Sequence, residues 1–396
     1  MTNRAPAAFV PQIPYGTRDF LPREAWMKRQ VENTLADVFS RWGYEEIVTP
    51  TYEYLSVFGE SGLAAVDQVF KFFDRSNRTL VLRPDMTTPI ARLAAMRFRG
   101  EADPLRFFYL TNVFRYENAQ AGRQCEFYQA GVELLGASDA TADAEVIALA
   151  IQALQAAGLQ SFQISIGQAD FLRSLTGEIG LDERQAEELR QLLVAKDMVG
   201  LANLLEEADL SQGDKEKVKH VLLTNGKTEL LEAAKQVAGS ETSRRAIENL
   251  EAVYRLLQAY GVSDFVAFDL GLVRDFDYYT GMVFEGYTPG LGFPVCGGGR
   301  YDKLMEAFGQ SRPATGFALG VDRLLMALEK QEAEYAASKP SKIVVGWSSG
   351  MLEKAICLAS ALRTEGKTAV VDAGPTSREA GLLRQNQASN QYVFVE

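Results

Sequence analysis

Histidine is almost missing from this sequence: one residue, His220, in 396. A His–Asp dyad or a multi-histidine metal site is therefore all but excluded as the basis of its chemistry. The three cysteines, Cys125, Cys296 and Cys357, stand far apart with no CxxC pair. That excludes a disulfide scaffold and leaves no structural zinc or other metal site to expect. No apolar run approaches the roughly 18–20 residues a membrane span needs, so no membrane contact is expected. The opening MTNRAPAAFVPQIPYG has no apolar signal-peptide core, which makes the cytoplasm the expected compartment. Positive charge is short as well, with 41 Lys and Arg against 52 Asp and Glu, a net charge of −11. Proteins that embrace a polyanion usually carry a basic excess, so this balance argues against nucleic acid as a partner.

What is present fits a soluble globular chain. Hydrophobic residues make up 47% and charged residues 23%, near the usual averages. At roughly 100–200 residues per domain the length allows two or three domains. Pro11, Pro14, Gly16 and Pro22 punctuate an extended lead-in. Apolar Trp26, Val31, Leu35, Val38 and Phe39 recur at helical spacing, predicting a helix over 24–42 that Gly43 stops. A short strand over 46–48, a strand over 78–83 and a helix from Met86 to about Met96 follow. The clearest β signal is a hairpin, 106–117 and 125–135, around a polar loop longer than a tight turn. A helix over about 141–157 and a strand over 163–166 come next. Residues 170–260 then read as a helical insert, in which His220, Glu206, Glu207, Asp209 and Glu251 fit wet helix faces. Strands resume over 264–287, Gly297–Gly299 reads as a turn, and 301–308 and 321–328 read as helices. The charged stretch 331–341 suits a linker, and the tail from 342 alternates βαβαβ, the order of parallel strands with crossovers.

Three clusters could carry chemistry. In the hairpin, Gln129, Gly131 and Glu133 share one face of a strand, and the missing side chain at Gly131 would let a small ligand lie on the backbone. Gln129 and Glu133 could grip a donor-rich group, while Arg115 and Arg123 could hold phosphate or carboxylate. The same spacing also fits a sheet with a solvated polar face. Arg274, Asp277, Tyr278 and Tyr279 bring a cation, an anion and two hydroxylated rings together, either for a ligand or as an ion pair among core tyrosines. The run Gly297-Gly298-Gly299-Arg300-Tyr301-Asp302, with Gly320 leading into a helix that carries Arg323, allows close backbone approach. It lacks both the P-loop pattern and the dinucleotide fingerprint.

Taken together, YGTRDFLP at 15–22, the region 24–50, the hairpin 106–136, LVRDFDYYTG from Leu272 and the stretch 315–328 resemble class II aminoacyl-tRNA synthetases, specifically the histidyl-tRNA synthetase family. The resemblance implies an α+β fold: an antiparallel six- or seven-stranded sheet flanked by helices, dimerised through the first motif, with the helical insert and a small truncated α/β C-terminal domain at 342–396. Matched positions imply a histidine pocket of Asp85, Thr87, Arg115, Gln129, Glu133, Arg274, Tyr278 and Tyr279, and an ATP clamp, here vestigial, of Arg115, Arg123 and Arg323.

The departures point to a branch of that family. Asp85 stands where the enzymes have Glu in RPE. Asn118-Ala119 replace Arg-Pro in the hairpin loop, Cys125 replaces an arginine, and Asp275 replaces a glycine beside Arg274. The tail ends at its third strand, and residues 331–396 hold seven Lys and Arg against seven Asp and Glu, where an anticodon binder would be basic. A synthetase-like body that keeps the amino-acid pocket and loses tRNA-binding parts resembles the ATP phosphoribosyltransferase regulatory subunit family, as does the segment Val283–Pro294. That resemblance implies no catalytic activity or cofactor of its own, a short-form catalytic partner in the first step of histidine biosynthesis, and histidine as feedback effector. An active histidyl-tRNA synthetase is the alternative.

Overall fold

The structure, a computed structural model, describes residues 11–59, 69–101, 104–116, 124–208, 210–274, 278–331, 341–380 and 391–396. The chain divides into two compact units, Met1–Ala333 and Glu334–Glu396. Among the described residues, no helix is long and apolar enough to cross a membrane.

In the larger unit the strands are, in chain order, β1 (Glu45–Glu46), β2 (Tyr52–Tyr54), β3 (Lys71–Phe73), β4 (Thr79–Leu82), β5 (Leu105–Phe114), β6 (Glu126–Leu135), β7 (Gln163–Gln168), β8 (Asn225–Gly226), β9 (Val266–Asp269), β10 (Met282–Tyr287), β11 (Cys296–Arg300) and β12 (Ala314–Gly320). The helices are α1 (Pro22–Arg41), α2 (Leu55–Gly59), α3 (Thr87–Arg97), α4 (Ala140–Ala156), α5 (Ala169–Glu178), α6 (Glu183–Ala195), α7 (Met198–Glu207), α8 (Gln212–Leu223), α9 (Thr228–Val237), α10 (Glu241–Ala259) and α11 (Val321–Lys330). Nine described strands form the main sheet, in the order β1-β5-β6-β12-β11-β10-β7-β9-β8. The six central strands from β5 to β7 are antiparallel throughout. The sheet is thus wider than the six or seven strands expected, and parallel pairs β1–β5 and β7–β9 extend it. A separate three-stranded sheet, β2-β4-β3, is antiparallel.

Helix α1 starts on Pro22, whose fixed φ suits the first helical turn, and Glu24 accepts from the Leu21 N–H at 2.9 Å. Its stripe Val31, Leu35 and Phe39 is fully buried, with the Phe39 ring against Phe108 of β5 and Phe317 of β12. Gly43, at φ +81°, turns the chain out of the helix, as Gly past a C-cap commonly does. The insert is six helices, α5–α10. Asp182, Asp197, Ser211 and Ser240 each cap the next N-terminus, which divides the Leu- and Glu-rich stretch into short helices. His220 lies exposed on α8.

The lead-in is tied down by contacts distant in sequence. The Gly16 carbonyl accepts from the Cys125 N–H at 2.7 Å. Arg18 pairs with Asp322 of α11 at 2.9 Å, and the second Asp322 oxygen accepts from the Tyr128 N–H at 2.7 Å. Phe20 meets the Tyr128 ring edge-on.

The glycine run departs from its expected role as a turn. Gly297–Gly299 lie inside β11, a buried strand between β10 and β12, and β12 itself was not expected. The glycines mark a place where neighbouring chain comes too close for a β-carbon. At Gly298 that atom would collide with the Gly316 carbonyl and the Phe317 backbone. The helix expected over 301–308 is a 3-10 turn, Leu304–Phe308.

The smaller unit contains β13 (Ile343–Trp347), α12 (Leu352–Thr364), β14 (Ala369–Val371) and β15 (Gln391–Val395). Its strands pair in parallel, in the order β14-β13-β15, over a core of Ile343, Val345, Ala355, Ala359 and Ala369. The linker expected over 331–341 and the helix expected over 378–385 lie largely outside the described residues.

At the end of β11, Arg300 turns to the opposite side of the sheet from Gly299 and meets Asp143 of α4 at 2.8 Å, the two side chains 7% and 1% exposed. The guanidinium also donates to the Ala137 carbonyl at 3.0 Å and the Asp139 carbonyl at 3.3 Å. Breaking such a buried pair strands a charge. Asp143→Ala is therefore expected to lower the unfolding free energy by about 3–5 kcal/mol in urea titration followed by tryptophan fluorescence. Asp302→Ala, which removes the outer and more exposed partner of Arg300, is expected to cost about 1 kcal/mol.

Candidate functional site

Residues paired across strands point to one face of a sheet, and the registers build an unusual floor on one face here. Glu133 of β6, Gly316 of β12 and Gly299 of β11 form one row. Tyr109, Gly131, Ala318, Gly297 and Glu285 form the next. Four of these positions lack side chains, and each is covered by a polar group from elsewhere. The Glu133 carboxylate lies over Gly316, the Tyr109 phenol over Gly131, the Arg274 guanidinium over Gly297, and the Tyr279 ring against Gly299. Gly131 is therefore not the bare backbone seat that its spacing suggests, because Tyr109, directly opposite, already fills it.

Glu133 is 2% exposed. One oxygen accepts from the Thr87 hydroxyl at 2.8 Å and the other from the Tyr301 hydroxyl. Burial pushes its carboxyl up to about 8, against the pull of those two hydrogen bonds, and the nearby Asp85 adds to the rise. Asp85 precedes α3 and accepts from the Thr88 N–H at 2.9 Å. Burial raises its carboxyl too, opposed by that hydrogen bond and by the Arg115 charge. Its second oxygen is buried without a hydrogen-bond partner, and so is the amide oxygen of Gln129. An unmet buried acceptor costs about 1–3 kcal/mol, so a donor placed against either oxygen would be favoured.

Tyr278 is buried against Tyr279 at 4.7 Å and Tyr301 at 5.7 Å between ring centroids. Burial holds the Tyr109, Tyr278 and Tyr301 hydroxyls protonated, far above the usual phenol range. Arg115 donates to the Pro84 carbonyl at 2.9 Å and lies over the Phe127 ring. Arg83, just before Pro84, is buried in a structural role, donating to the Asn112 and Thr49 carbonyls at 2.9 Å.

The structure thus brings Asp85, Thr87, Glu133, Tyr278 and Tyr279 into one cluster, with Arg115 beside Asp85 and Arg274 beside Tyr279 at 5.5 Å. Gln129 stands four residues up β6, about 13 Å from Glu133 at strand rise. It pairs with Gly320, the N-cap of α11. Arg323 of α11 lies at that end, donating to the Pro294 carbonyl at 2.9 Å and covering Phe293. Arg123, Asn118, Ala119, Asp275 and Asp277 lie outside the described residues. Among the described residues Arg274 pairs with Glu285, at 3.1 Å. Tyr109, Tyr301 and Glu285 were not singled out from the sequence as site residues. Tyr301 was legible as the residue closing GGGRY, whereas the pairing of Tyr109 with Gly131 depends on a register set across a long hairpin loop.

Known proteins resemble this chain over most of its length. The family model described as histidyl-tRNA synthetase matches residues 16–324. A relative from Acetivibrio thermocellus, an ATP phosphoribosyltransferase regulatory subunit, is 41% identical over 91% of this chain and 86% of its own length. One of the same description from Moorella thermoacetica is 42% identical over 94% and 95%. This chain belongs to the ATP phosphoribosyltransferase regulatory subunit family. A solved structure described as an ATP phosphoribosyltransferase regulatory subunit/histidyl-tRNA synthetase, from Bacillus halodurans, superposes with a TM-score of 0.87 at 36% identity, covering 98% of this chain and 99% of that one. The regulatory-subunit family therefore shares its body with the synthetases, and the class II α+β fold expected from the motifs is the fold observed.

The Glu133 carboxyl yields a pH test. Folded, it holds its proton to about pH 8; unfolded, it releases it near the ordinary 4.5. Between those values the folded state binds more protons, so this group's contribution to stability is full below 4.5 and is lost as pH rises toward 8. Unfolding free energies of the wild type from urea titration are expected to fall from pH 5 to pH 8 relative to Glu133→Gln, by at most about 1.4 kcal/mol per pH unit. Parallel profiles for the two proteins would mean that burial does not hold the proton there.

Proposed function

We propose that this chain is a non-catalytic, cytoplasmic regulatory subunit that binds a short-form ATP phosphoribosyltransferase, activates it in the first step of histidine biosynthesis, and conveys feedback from histidine bound over the glycine floor. The observation that carries the reading is the buried, unmet acceptor on Asp85, in the cluster with Glu133 and Tyr279 that Arg115 and Arg274 flank, with a second on Gln129 farther along β6. Acceptors for an α-ammonium beside guanidinium groups for a carboxylate suit a free amino acid.

The ring chemistry supports histidine. A carboxyl such as Glu133, protonated to about pH 8, can donate to a neutral imidazole nitrogen. By yielding its proton it can instead accept from an imidazolium. A carboxylate has about four lone-pair sites, so the bonds from Thr87 and Tyr301 leave capacity for a ligand. Tyr278 and Tyr279 offer ring faces and hydroxyls beside it. Histidine regulates the partner only if it binds two states of the complex unequally, with a coupling of roughly 1–3 kcal/mol. A homodimer within a larger hetero-oligomer completes the reading.

The test is co-purification with a short phosphoribosyltransferase catalytic subunit, followed by its assay with and without this chain and histidine. A gain in activity and a histidine-dependent loss are expected. No gain and no change in histidine sensitivity would overturn the reading, and measurable charging of tRNA would replace it with a synthetase. In calorimetry, Glu133→Ala is expected to weaken histidine binding roughly 10- to 100-fold, the scale of a hydrogen bond to a charged group. Unchanged affinity would place the effector elsewhere.

A further inference from the structure

Arg274 lies over the floor, and the described residues just before it are packed against the helical insert. The loop's Gly271 is buried, and a β-carbon there would run into the Leu222 carbonyl of α8 and the Leu193 side chain of α6. The helical insert therefore presses on the backbone three residues before Arg274. At the far end of the side chain, Nη1 donates to a Glu285 oxygen at 3.1 Å and to the Phe284 carbonyl at 3.3 Å. Arg274 and Glu285 are both mostly buried, at 16% and 15% exposed. The second Glu285 oxygen accepts from the Tyr287 hydroxyl. The Tyr287 ring in turn carries the Lys196 ammonium 4.9 Å from its centroid.

Lys196 is the C-cap of α6 and sits in the left-handed region at φ 54°. Glycine takes that position without steric cost, whereas a side chain there carries strain. The backbone strain is kept together with a side chain that reaches from the insert to β10. An unbroken line of contacts follows: Lys196, Tyr287, Glu285, Arg274 and the Tyr279 ring at 5.5 Å.

We propose that Lys196, Tyr287 and Glu285 are positioning residues which hold Arg274 over the floor from the helical insert and thereby set the grip of the pocket on a ligand carboxylate. The proposal rests on reading the floor as an amino-acid pocket. With both of its oxygens engaged, Glu285 holds the Nη1 end of the Arg274 guanidinium. Removing an outer contact frees Glu285 to turn and loosens the cation it holds, while the acceptors at Asp85 and Gln129 and the ring site at Glu133 stay as they are. The insert thus acquires a task in the pocket without touching the ligand.

Calorimetry with histidine and with histidinol, which lacks the carboxylate, separates this role from general loosening. Lys196→Met and Tyr287→Phe are each expected to weaken histidine roughly three- to tenfold, the worth of one cation–π contact or hydrogen bond. Histidinol affinity is expected to change by less than about twofold, as for substitutions remote from a binding contact. Lys196→Arg is expected to retain histidine affinity, since it keeps the cation on the ring. Equal losses for both ligands, or none for either, overturn the proposal. A second readout needs no ligand: the Nε–H signal of Arg274 in protein labelled with 15N-arginine, assigned by its loss in Arg274→Lys. An ordered signal in the wild type that averages out in Lys196→Met and Tyr287→Phe supports the relay, and an identical signal in all three overturns it. If the wild type binds no histidine, the pocket reading falls and this signal alone decides the relay.

Discussion

The site depends on emptiness at the centre of a sheet. A central antiparallel strand normally fills both faces with its own side chains, and polar groups from other segments then find no room. Here Gly131, Gly297, Gly299 and Gly316 fall on one face in two adjacent rows, so the backbone itself becomes the surface. A carboxylate, a phenol, a guanidinium and an aromatic ring occupy the vacated volume. Their burial follows from lying against the sheet, and the raised carboxyls of Glu133 and Asp85 follow from their burial. A one-residue slip of β11 alone would turn Gly297 and Gly299 together to the other face.

The two faces of β11 divide the work. On the floor side, Gly297 and Gly299 admit the polar cluster. On the other, Arg300 locks the strand to Asp143 of α4 and to the carbonyls that lead into that helix. Removing either partner leaves an uncompensated charge, which is why a buried pair resists change even where its net worth is small. Arg83 plays a comparable part at the Pro84 corner, where its donors hold carbonyls on both sides of the small sheet's connection. Charged groups in this body therefore serve two ends, some joining elements and some left facing the floor.

Local pattern made much of this legible. The α1 stripe, the hairpin, α4, the helical insert and the parallel tail all follow from periodicity and turn residues. Alternation along β6 correctly put Gln129, Gly131 and Glu133 on one face. What pattern could not show was β11 and β12, whose glycines read as punctuation because the reason for them lies in strands far off in sequence. The same blindness turned Gly131 into an open seat, since only the pairing with Tyr109 reveals that it is taken. Arg274 was selected for its charge and set beside Asp277, which lies outside the described residues, while Glu285, absent from that reading, meets it from β10. Residue chemistry pointed to these groups, and register decided what each one touches.

The tethered lead-in bears on how the chain comes to be folded. Arg18 finds its partner at Asp322, 304 residues later, and the same carboxylate satisfies the Tyr128 amide. At synthesis rates of about 5–20 residues per second, roughly 15–60 s separate the appearance of Arg18 from that of Asp322. Tyr128 precedes Asp322 by 194 residues, so for roughly 10–40 s the start of β6 has neither the α11 carboxylate nor its neighbour β12, and its unpaired edge is open to other chains. The body can close only when α11 arrives, near the end of the larger unit. The order of emergence from the ribosome thus leaves the strand that carries Gln129 and Glu133 among the last to be sealed.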